Sequence, residues 1–437
     1  MARFLLVFLL LLVFACNNLE DATIPERQTF IRFFGSARSY VSVAVEPDID
    51  GGFVMVGNAA AVEATATTPA LGPAIVIIKT DPQGTKLWER IIEDSNVHSI
   101  KPLADGYLLS GEGIKLNPNS SESSEFVNSQ FLLMKLNTSG EPQLTYSKDS
   151  VVQVTRGLGV VDLRVDFKAN ASVILPGGSE VATLGSYKVP GGQERTITMG
   201  FNLSNFTQPL WRKNLDLFNF DYINTNFLGF NTGNLVWAST AKPQDANQSE
   251  YVSVISIPPN YASPSNNSLF GKTDDTGGHD VNDIEASATG FGIVGTYTSK
   301  ANNKNIFFVK VDPAGNVMES TVKYFDGVDL GISKTTPGSS QDEGAAITFT
   351  RDGGFVLACS MGENPITGNG GTDILLIKID AFGNYIWHKL LGGSGDESAT
   401  SVRELPDGTL LISGTSTISN VSSMFIIRSD AGGNLKD

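Results

Sequence analysis

Short apolar runs recur along the whole chain, and residues that break regular structure separate them. The clearest group lies in residues 340–393, where four such runs read AAITFT, FVLACSM, DILLIKI and YIWHKLL. RDGG lies between the first two runs and DAFGN between the last two. Both are turn sequences of the kind that joins antiparallel strands. The segment therefore predicts four antiparallel strands, with a long Gly- and Asn-rich loop after the second.

The same pattern repeats along the chain. Copies align on a Gly before the second strand, at intervals of roughly 54 to 64 residues between clear neighbours, a long but acceptable repeat. A weaker copy lies near Asn170. The anchors are Gly52, Gly106, Gly233, Gly290, Gly354 and Gly408. Repeated units of four antiparallel strands form β-propellers. The sequence thus predicts an all-β, seven-bladed β-propeller of four-stranded antiparallel blades.

The last unit lacks its own fourth strand. It ends at GNLKD, whereas TFIRFFGS, residues 29–36, matches YIWHKLLGG of the preceding unit in its aromatic, basic and Gly positions. We therefore expect the N-terminal strand to complete the last blade. A ring closed in this way has no exposed sheet edge.

The N-terminus has the features of a secretion signal. Arg3 precedes FLLVFLLLLVF, an apolar run too short to span a bilayer, so residues 1–15 read as a signal peptide. The following VFAC resembles the bacterial lipobox, and Cys16 is then the lipidated residue. Residues 16–28 form a polar tether and residues 29–437 the propeller. A lipid would anchor the chain without a spanning helix.

The repeat DGGF…LLIKID-GN-W resembles exported bacterial β-propeller repeat lipoproteins of the Bacteroidetes type. This resemblance implies a propeller fold and an outer-membrane lipoprotein that faces the cell surface or the periplasm. Activities in this group are mostly unassigned, so the resemblance implies no reaction.

Composition excludes one class of partner. The formal net charge is -15, and a nucleic-acid partner would demand a basic surface instead. We expect a monomer, whose partners are the membrane, through the lipid, and an unidentified ligand.

Five aspartates recur near the start of the first strand of a unit: Asp94, Asp221, Asp280, Asp342 and Asp396. They predict a partial carboxylate ring at one channel mouth. Such a ring could bind Ca²⁺ or a cationic ligand, because hard cations prefer several oxygen ligands. Alternatively, each aspartate accepts backbone N–H bonds in the turn between units. No compact Ca²⁺ loop sequence is present, and no other cofactor is predicted.

The acidic stretch GKTDDTGGHDVNDIE contains a second candidate. His279 with Asp280 or Asp283 could ligate a metal, although a solvated loop explains the same residues. No nucleophile motif, phosphate-binding Gly loop or Cys–His pair is present, so no catalytic residue is predicted.

These observations favour a non-catalytic module that binds a glycan, peptide or partner protein. The long loops at residues 59–74, 115–128 and 241–250 are the expected recognition segments. One alternative is a carbohydrate-active hydrolase or lyase that uses carboxylates at the channel mouth. Another is a structural envelope or adhesion component. Two carboxylates in a pocket, one with a raised pKa, would favour the enzyme.

Overall fold

The computed structural model describes most of the chain after residue 28. Residues 1–28, with the predicted signal peptide, Cys16 and tether, lie outside the described residues, as does the middle of each of the three long loops. The described ranges are 29–63, 70–116, 126–148, 150–156, 159–188, 194–215, 220–231, 233–243, 249–258, 266–271, 277–332, 341–362 and 371–435.

The described residues form an all-β protein of four-stranded antiparallel sheets. Sheet 1 contains β2 (Tyr40–Pro47), β3 (Phe53–Ala59), β4 (Ala74–Thr80) and β5 (Lys86–Glu93). Sheet 2 contains β6 (Ser95–Leu103), β7 (Gly106–Leu116), β8 (Phe126–Asn137) and β9 (Pro142–Lys148). Sheet 3 contains β12 (Phe167–Ile174), β13 (Glu180–Lys188), β14 (Glu194–Asn202) and β15 (Trp211–Asn214). Sheet 4 contains β16 (Phe220–Asn231), β17 (Asn234–Pro243), β18 (Tyr251–Ile257) and β19 (Asn266–Phe270).

The remaining sheets follow the same plan. Sheet 5 contains β20 (Gly278–Ser287), β21 (Gly290–Thr298), β22 (Lys304–Val311) and β23 (Lys323–Phe325), with a 3-10 helix at Glu319–Thr321. Sheet 6 contains β24 (Gln341–Phe349), β25 (Phe355–Gly362), β26 (Thr372–Ile379) and β27 (Tyr385–Leu391). One parallel pair, Lys304 with Gln341, links sheets 5 and 6. Sheet 7 contains β28 (Asp396–Glu404), β29 (Leu410–Ile418), β30 (Val421–Ser429) and β1 (Phe30–Phe34).

The N-terminal strand joins the last sheet, as predicted. β1 runs antiparallel to β30, with Phe30 opposite Arg428 and Phe34 opposite Met424. The side chains of Phe30 and Phe34 are buried. Phe30 reaches into sheet 1, where its ring lies 6.2 Å from that of Phe53. The two ends of the chain therefore meet inside one sheet, which packs against the first.

The sheets are arranged like the blades of a propeller. The first strands contact one another in chain order, β2 with β6, β6 with β12, and so on to β28, which contacts β2. Within the described part of the chain, no helix is long and apolar enough to cross a membrane.

Apolar strands are buried on both faces because each sheet lies between two others. All seven residues of β4 are buried. Ala74, Val76 and Ile78 pack with residues of sheet 7, whereas Ile75 and Ile77 pack with residues of sheet 2. This alternation explains why the third strands read as continuous apolar runs rather than as alternating ones.

An ion pair explains two parts of the repeat together. The basic residue of the IKID phrase reaches the Asp of the DG turn in the same sheet, as in Lys378 Nζ to Asp352 Oδ1 at 2.8 Å. Burial opposes ionisation of Asp352, but its bond to Lys378 prevails and lowers its pKa to about 2. The equivalent pairs are Lys79–Asp50, Lys135–Asp105 and Arg428–Asp407.

The irregular third unit differs from the sequence-based alignment. The segment around Asn170, aligned above with the turn and second strand of other units, belongs to the first strand, β12, and the turn follows at Gly177 and Gly178. An additional hairpin, β10 (Ser150–Arg156) with β11 (Gly159–Val165), precedes β12. The alignment failed at this unit because no DG turn marks the second strand.

Candidate functional site

The first strand of every sheet contains one irregularity in its pairing with the second strand. In six sheets a single residue of the first strand has no partner across the ladder, which is the arrangement of a β-bulge. In sheet 4 the shift covers residues 224–226. The six bulged residues are Val43, His98, Asn170, Asn282, Ala345 and Thr400.

The bulges direct side chains into a common cavity. A bulge bends its strand and re-aims the extra side chain. All of the six except Asn170 line a cavity of about 390 Å³. The walls of this cavity come from the first strands of all seven sheets. The cavity therefore lies at the centre of the propeller-like arrangement, where every sheet contributes to one site.

Charged side chains enter the cavity from one repeated register position. Seven residues hold this position, opposite Val54, Leu108, Ala182, Val236, Gly292, Val356 and Leu411 of the second strands. They are Glu46, Lys101, Val173, Gly229, Glu285, Thr348 and Arg403. All but Thr348 line the cavity. The fold thus collects four charges, two of each sign, from four different sheets.

Three of these charged side chains, Arg403 of sheet 7, Glu46 of sheet 1 and Lys101 of sheet 2, form one group of ion pairs. Arg403 Nη2 donates to Glu46 Oε1 at 2.8 Å and Arg403 Nε donates to Glu46 Oε2 at 3.1 Å. Lys101 Nζ lies 3.7 Å from Glu46 Oε1. Burial opposes ionisation of Glu46, but Arg403 and then Lys101 outweigh it and lower its pKa. Glu46 is therefore ionised. Lys101 lies farther from Glu46 than Arg403 does, so it is the more weakly paired of the two cations.

Glu285 is the least satisfied charged group in the cavity. Its carboxylate has no hydrogen bond or ion pair within the described residues. Desolvation raises the pKa of Glu285 to about 7, and Asp283 adds to this effect while Arg403 opposes it. The side chain is only partly exposed and protein surrounds it, so its ionised form is poorly solvated. Glu285 can hold or release a proton near neutral pH.

Asp283 holds the strand beside Glu285 in place. Its Oδ1 accepts the Ile284 N–H at 2.8 Å, and its Oδ2 accepts the Ile347 N–H of sheet 6 at 3.0 Å. Desolvation nevertheless raises its pKa, against the favourable effect of Arg403. Asp283 therefore ties sheet 5 to sheet 6 while adding negative potential to the cavity.

His98 adds a neutral polar group to the same wall. Burial lowers its pKa, and its Nε2 lies 3.8 Å from Glu112 Oε1, beyond hydrogen-bond range. Nε2 has no hydrogen-bond partner among the residues that the structure describes. Together with Thr400 and Asn282, His98 makes this part of the cavity wall polar.

The five recurrent aspartates lie at the beginnings of the first strands or just before them, and none of them belongs to the described walls of this cavity. Asp342 is buried and accepts the Gly327 N–H at 2.6 Å, and desolvation raises its pKa to about 6. Asp396 accepts the Thr372 N–H at 3.2 Å. Asp94 is exposed, with a φ of 54°. In the backbone pairing, Asp280 lies opposite Thr296 and Asp221 opposite Lys242. The predicted ligand ring stays a prediction.

Two of the three residues of the possible metal site have different surroundings. His279 is buried among aromatic rings, and its Nε2 lies 3.0 Å from the Tyr324 hydroxyl. Asp283 instead lines the central cavity. Among the described residues, no three His, Cys, Asp or Glu side chains stand close enough together to hold a metal ion.

Sequence reasoning missed the charged residues of the cavity, although a signal was present. The recurrent aspartates stand ten to twelve positions before the Gly anchor. Glu46, Lys101, Glu285 and Arg403 instead stand five or six positions before it. They differ in type and sign, so they do not look like a repeat. Only the pairing register shows that they occupy the same place.

Comparison with known proteins yields similarity of fold. No protein-family model matches the sequence, and no curated protein matches it. A mutant of Trypanosoma rangeli sialidase displaying trans-sialidase activity is 12% identical with a TM-score of 0.42, over 84% of this chain and 58% of that chain. Puromycin hydrolase is 12% identical with a TM-score of 0.49, over 92% of this chain and 54% of that chain. An N11 neuraminidase-like protein from A/flat-faced bat/Peru/033/2010 (H18N11) is 10% identical with a TM-score of 0.39, over 94% of this chain and 90% of that chain. The chain spans little more than half the length of the sialidases and of puromycin hydrolase.

Proposed function

We propose that this protein is an exported lipoprotein whose seven sheets are the blades of a closed β-propeller, and that it binds a ligand in the central cavity. Its ligand is a glycan, a peptide or a segment of a partner protein that inserts a polar group among the first strands. The lipid on Cys16 holds the propeller at the outer membrane.

One observation carries the binding proposal. Five charged side chains from four sheets line one cavity, and one of them, Glu285, has no hydrogen bond or ion pair within the described part of the chain. A buried group that lacks a hydrogen bond costs free energy unless a ligand or water satisfies it. A rigid scaffold that maintains such a group at the centre of the molecule is suited to binding a polar ligand.

The binding proposal is tested by screening neutral, acidic and amino-substituted oligosaccharides and short peptides for a rise in the melting temperature. Binding is then quantified by calorimetry. We expect Glu285→Gln to weaken binding of a true ligand about tenfold, because a hydrogen bond to a charged group contributes about 1.5 kcal/mol or more. Glu319→Gln, on the surface of sheet 5, is the matched control. A ligand that binds both variants with the same affinity does not bind in the cavity.

A hydrolase is the second candidate because of the pKa of Glu285. A general acid works best when its pKa lies near the operating pH, and that of Glu285 is raised to about 7. The test is turnover of a panel of aryl glycosides between pH 5 and 8. The enzyme hypothesis requires that Glu285→Gln lower the rate by about 10²-fold or more. Binding without turnover across the panel supports the module instead.

Membrane anchoring is tested separately through Cys16. We expect the wild-type protein in the membrane fraction and Cys16→Ser in the soluble fraction, because lipidation provides the anchor. Cys359→Ser, a change at a buried strand position, controls for loss of a thiol. Equal membrane association of the Cys16→Ser variant contradicts the lipoprotein proposal while leaving the cavity proposal intact.

A further inference from the structure

A second cavity lies away from the centre, between the outer strands of sheets 6 and 7. It is a groove of about 240 Å³. Most of its lining side chains are apolar, and they come from β26 and β27 of sheet 6, from β1, β28 and β30 of sheet 7, and from the C-terminal segment. The residues that line it are Ile31, Phe33, Ile374, Leu390, Leu391, Gly392, Gly393, Glu397, Phe425, Ile427 and Leu435.

The rim of this groove exposes large apolar side chains to solvent. Phe33 is 61% exposed and Ile31 is 39% exposed. Leu435 borders the same groove and is 36% exposed. Burial of such surface by a ligand is favourable, by about 0.8 kcal/mol for each methylene group covered. The walls therefore suit a short aliphatic or aromatic body.

One end of the groove is acidic. Glu397 lines it and accepts the Gly393 N–H and the Ser416 hydroxyl, each at 2.8 Å. Asp373 lies directly behind the wall at Gly392, since a Cβ on Gly392 would stand 1.6 Å from Asp373 Oδ1. Only a glycine at this position lets the second carboxylate approach the groove.

Asp373 has no polar partner among the described residues. Its side chain is fully buried, and neither carboxylate oxygen has a hydrogen bond there. Desolvation, and then the neighbouring charge of Glu397, raise its pKa. Within the same part of the chain neither Asp373 nor Glu397 forms an ion pair. Two adjacent buried carboxylates without a cation are unfavourable, and a cation that arrives from the groove would relieve the repulsion.

We propose that this groove binds an organic ammonium ion whose apolar body lies against Ile31 and Phe33 and whose charged end bonds Glu397. The apolar walls match the apolar body of such a ligand, and the acidic end matches its positive charge. Charge complementarity selects the amine: an alcohol of the same shape brings no positive charge to the acidic end, and a carboxylate brings a like charge.

The experiment titrates the protein at pH 7 with n-alkylammonium ions from propyl to octyl, and with the matched n-alkanols, by calorimetry. We expect each ammonium ion to bind about tenfold or more tightly than its alcohol. Affinity should rise about threefold to fourfold per added methylene until the groove is filled. Affinity should fall at lower pH, since protonation of Asp373, whose pKa desolvation raises, removes part of the attraction.

Variants locate the site. Glu397→Gln should remove the preference for the amine, whereas Phe33→Ser, on the exposed rim, should reduce the gain per methylene and keep that preference. Glu343→Gln, an exposed carboxylate of sheet 6, is the control for general negative charge. Glu285→Gln should leave the titration unchanged, which separates this groove from the central cavity.

Three results would overturn the proposal. The first is equal affinity for amine and alcohol. The second is the absence of saturable binding at millimolar concentration. The third is loss of amine binding in Glu285→Gln, which would assign the amine to the central cavity. Because Phe33 is exposed, its variant keeps the test decisive even if Glu397→Gln fails to fold.

Discussion

Arg403 and Glu46 lie more than 350 positions apart in sequence, yet they form the shortest ion pair among the described residues of the cavity. Two parallel N–H···O bonds fix the guanidinium against the carboxylate, the geometry in which arginine pairs most strongly. Burial acts to lower the pKa of Arg403, but Glu46 and the other acidic groups of the cavity raise it. The pair therefore remains charged in spite of its location.

The first prediction concerns the loss of one partner. Arg403→Met should reduce the free energy of unfolding by about 2 to 4 kcal/mol, because it leaves Glu46 buried and unpaired. The double variant Arg403→Met with Glu46→Gln should recover part of this loss. Urea unfolding of the four proteins in a double-mutant cycle measures the coupling. Strict additivity of the two losses would contradict a direct interaction.

The second prediction concerns pH. The folded-state pKa of Glu285 is raised to about 7 from an ordinary value of 4.5. Stability linked to this group is fully present below pH 4.5 and is lost as the pH rises through 7, because the unfolded state releases the proton more readily. The stability of Glu285→Gln relative to wild type should therefore increase by about 3 kcal/mol between pH 4.5 and pH 8. Measuring the free energy of unfolding at both pH values, with Glu319→Gln as control, tests this prediction. A pH-independent difference would contradict the raised pKa.

Residue roles are predictable only where the repeat preserves them. DAFGN is predicted as a turn, and Asp380 Oδ1 indeed accepts the N–H groups of Phe382 and Asn384, each at 2.8 Å. No such signal identifies Glu285. Its chemistry arises from desolvation by other sheets, which no local sequence window contains.

At the scale of strands, the repeated bulge connects local pairing with the site. In sheets 1, 2 and 5, a backbone N–H next to the bulge donates to a side chain of the preceding sheet. Ser42 N donates to Thr415 Oγ1, Val97 N to Asn58 Oδ1 and Val281 N to Thr240 Oγ1, all within 3.0 Å. One irregularity thus joins neighbouring sheets and aims a side chain at the cavity.

The third prediction compares two aromatic residues of β1. Phe30 is 7% exposed and packs against sheet 1, whereas Phe33 is 61% exposed. Phe30→Ala should lower the free energy of unfolding by about 3 to 5 kcal/mol. Phe33→Ala should change it by about 1 kcal/mol or less, since surface substitutions have small effects. Urea unfolding decides, and equal losses would mean that β1 does not dock as described.

Strand prediction succeeded where turn residues are strong. YIWHKLL coincides with β27, and FVLACSM ends one residue before β25 does. The β10–β11 hairpin escaped prediction because it lies outside the repeat. The bulges were not predicted from the sequence either, because an extra residue in an alternating pattern looks like ordinary sequence variation until the partner strand is known.

At the scale of the molecule, the contact between the last sheet and the first both closes the arrangement of sheets and completes the wall of the cavity. Arg403 comes from sheet 7 and Glu46 from sheet 1, and β1 holds those two sheets together at the periphery. The cavity therefore depends on a strand, Phe30–Phe34, none of whose residues lines it.

The fourth prediction removes that strand. A chain that begins at Thr29 should unfold like a chain that begins at residue 17, whereas one that begins at Gly35 should be less stable and prone to association through the exposed edge of β30. Adding a peptide of residues 29–36 should restore the lost stability, and the same peptide with Phe30→Ala should not. Melting temperature and light scattering provide the readout. A Gly35 chain as stable as the Thr29 chain would contradict closure.

The pairing of β1 with β30 also determines when the last sheet can be completed. Met424 follows its partner Phe34 by 390 positions, so this pairing can form only when nearly the whole chain has been synthesised. For the exported lipoprotein that we propose, the last sheet would then assemble only after translocation.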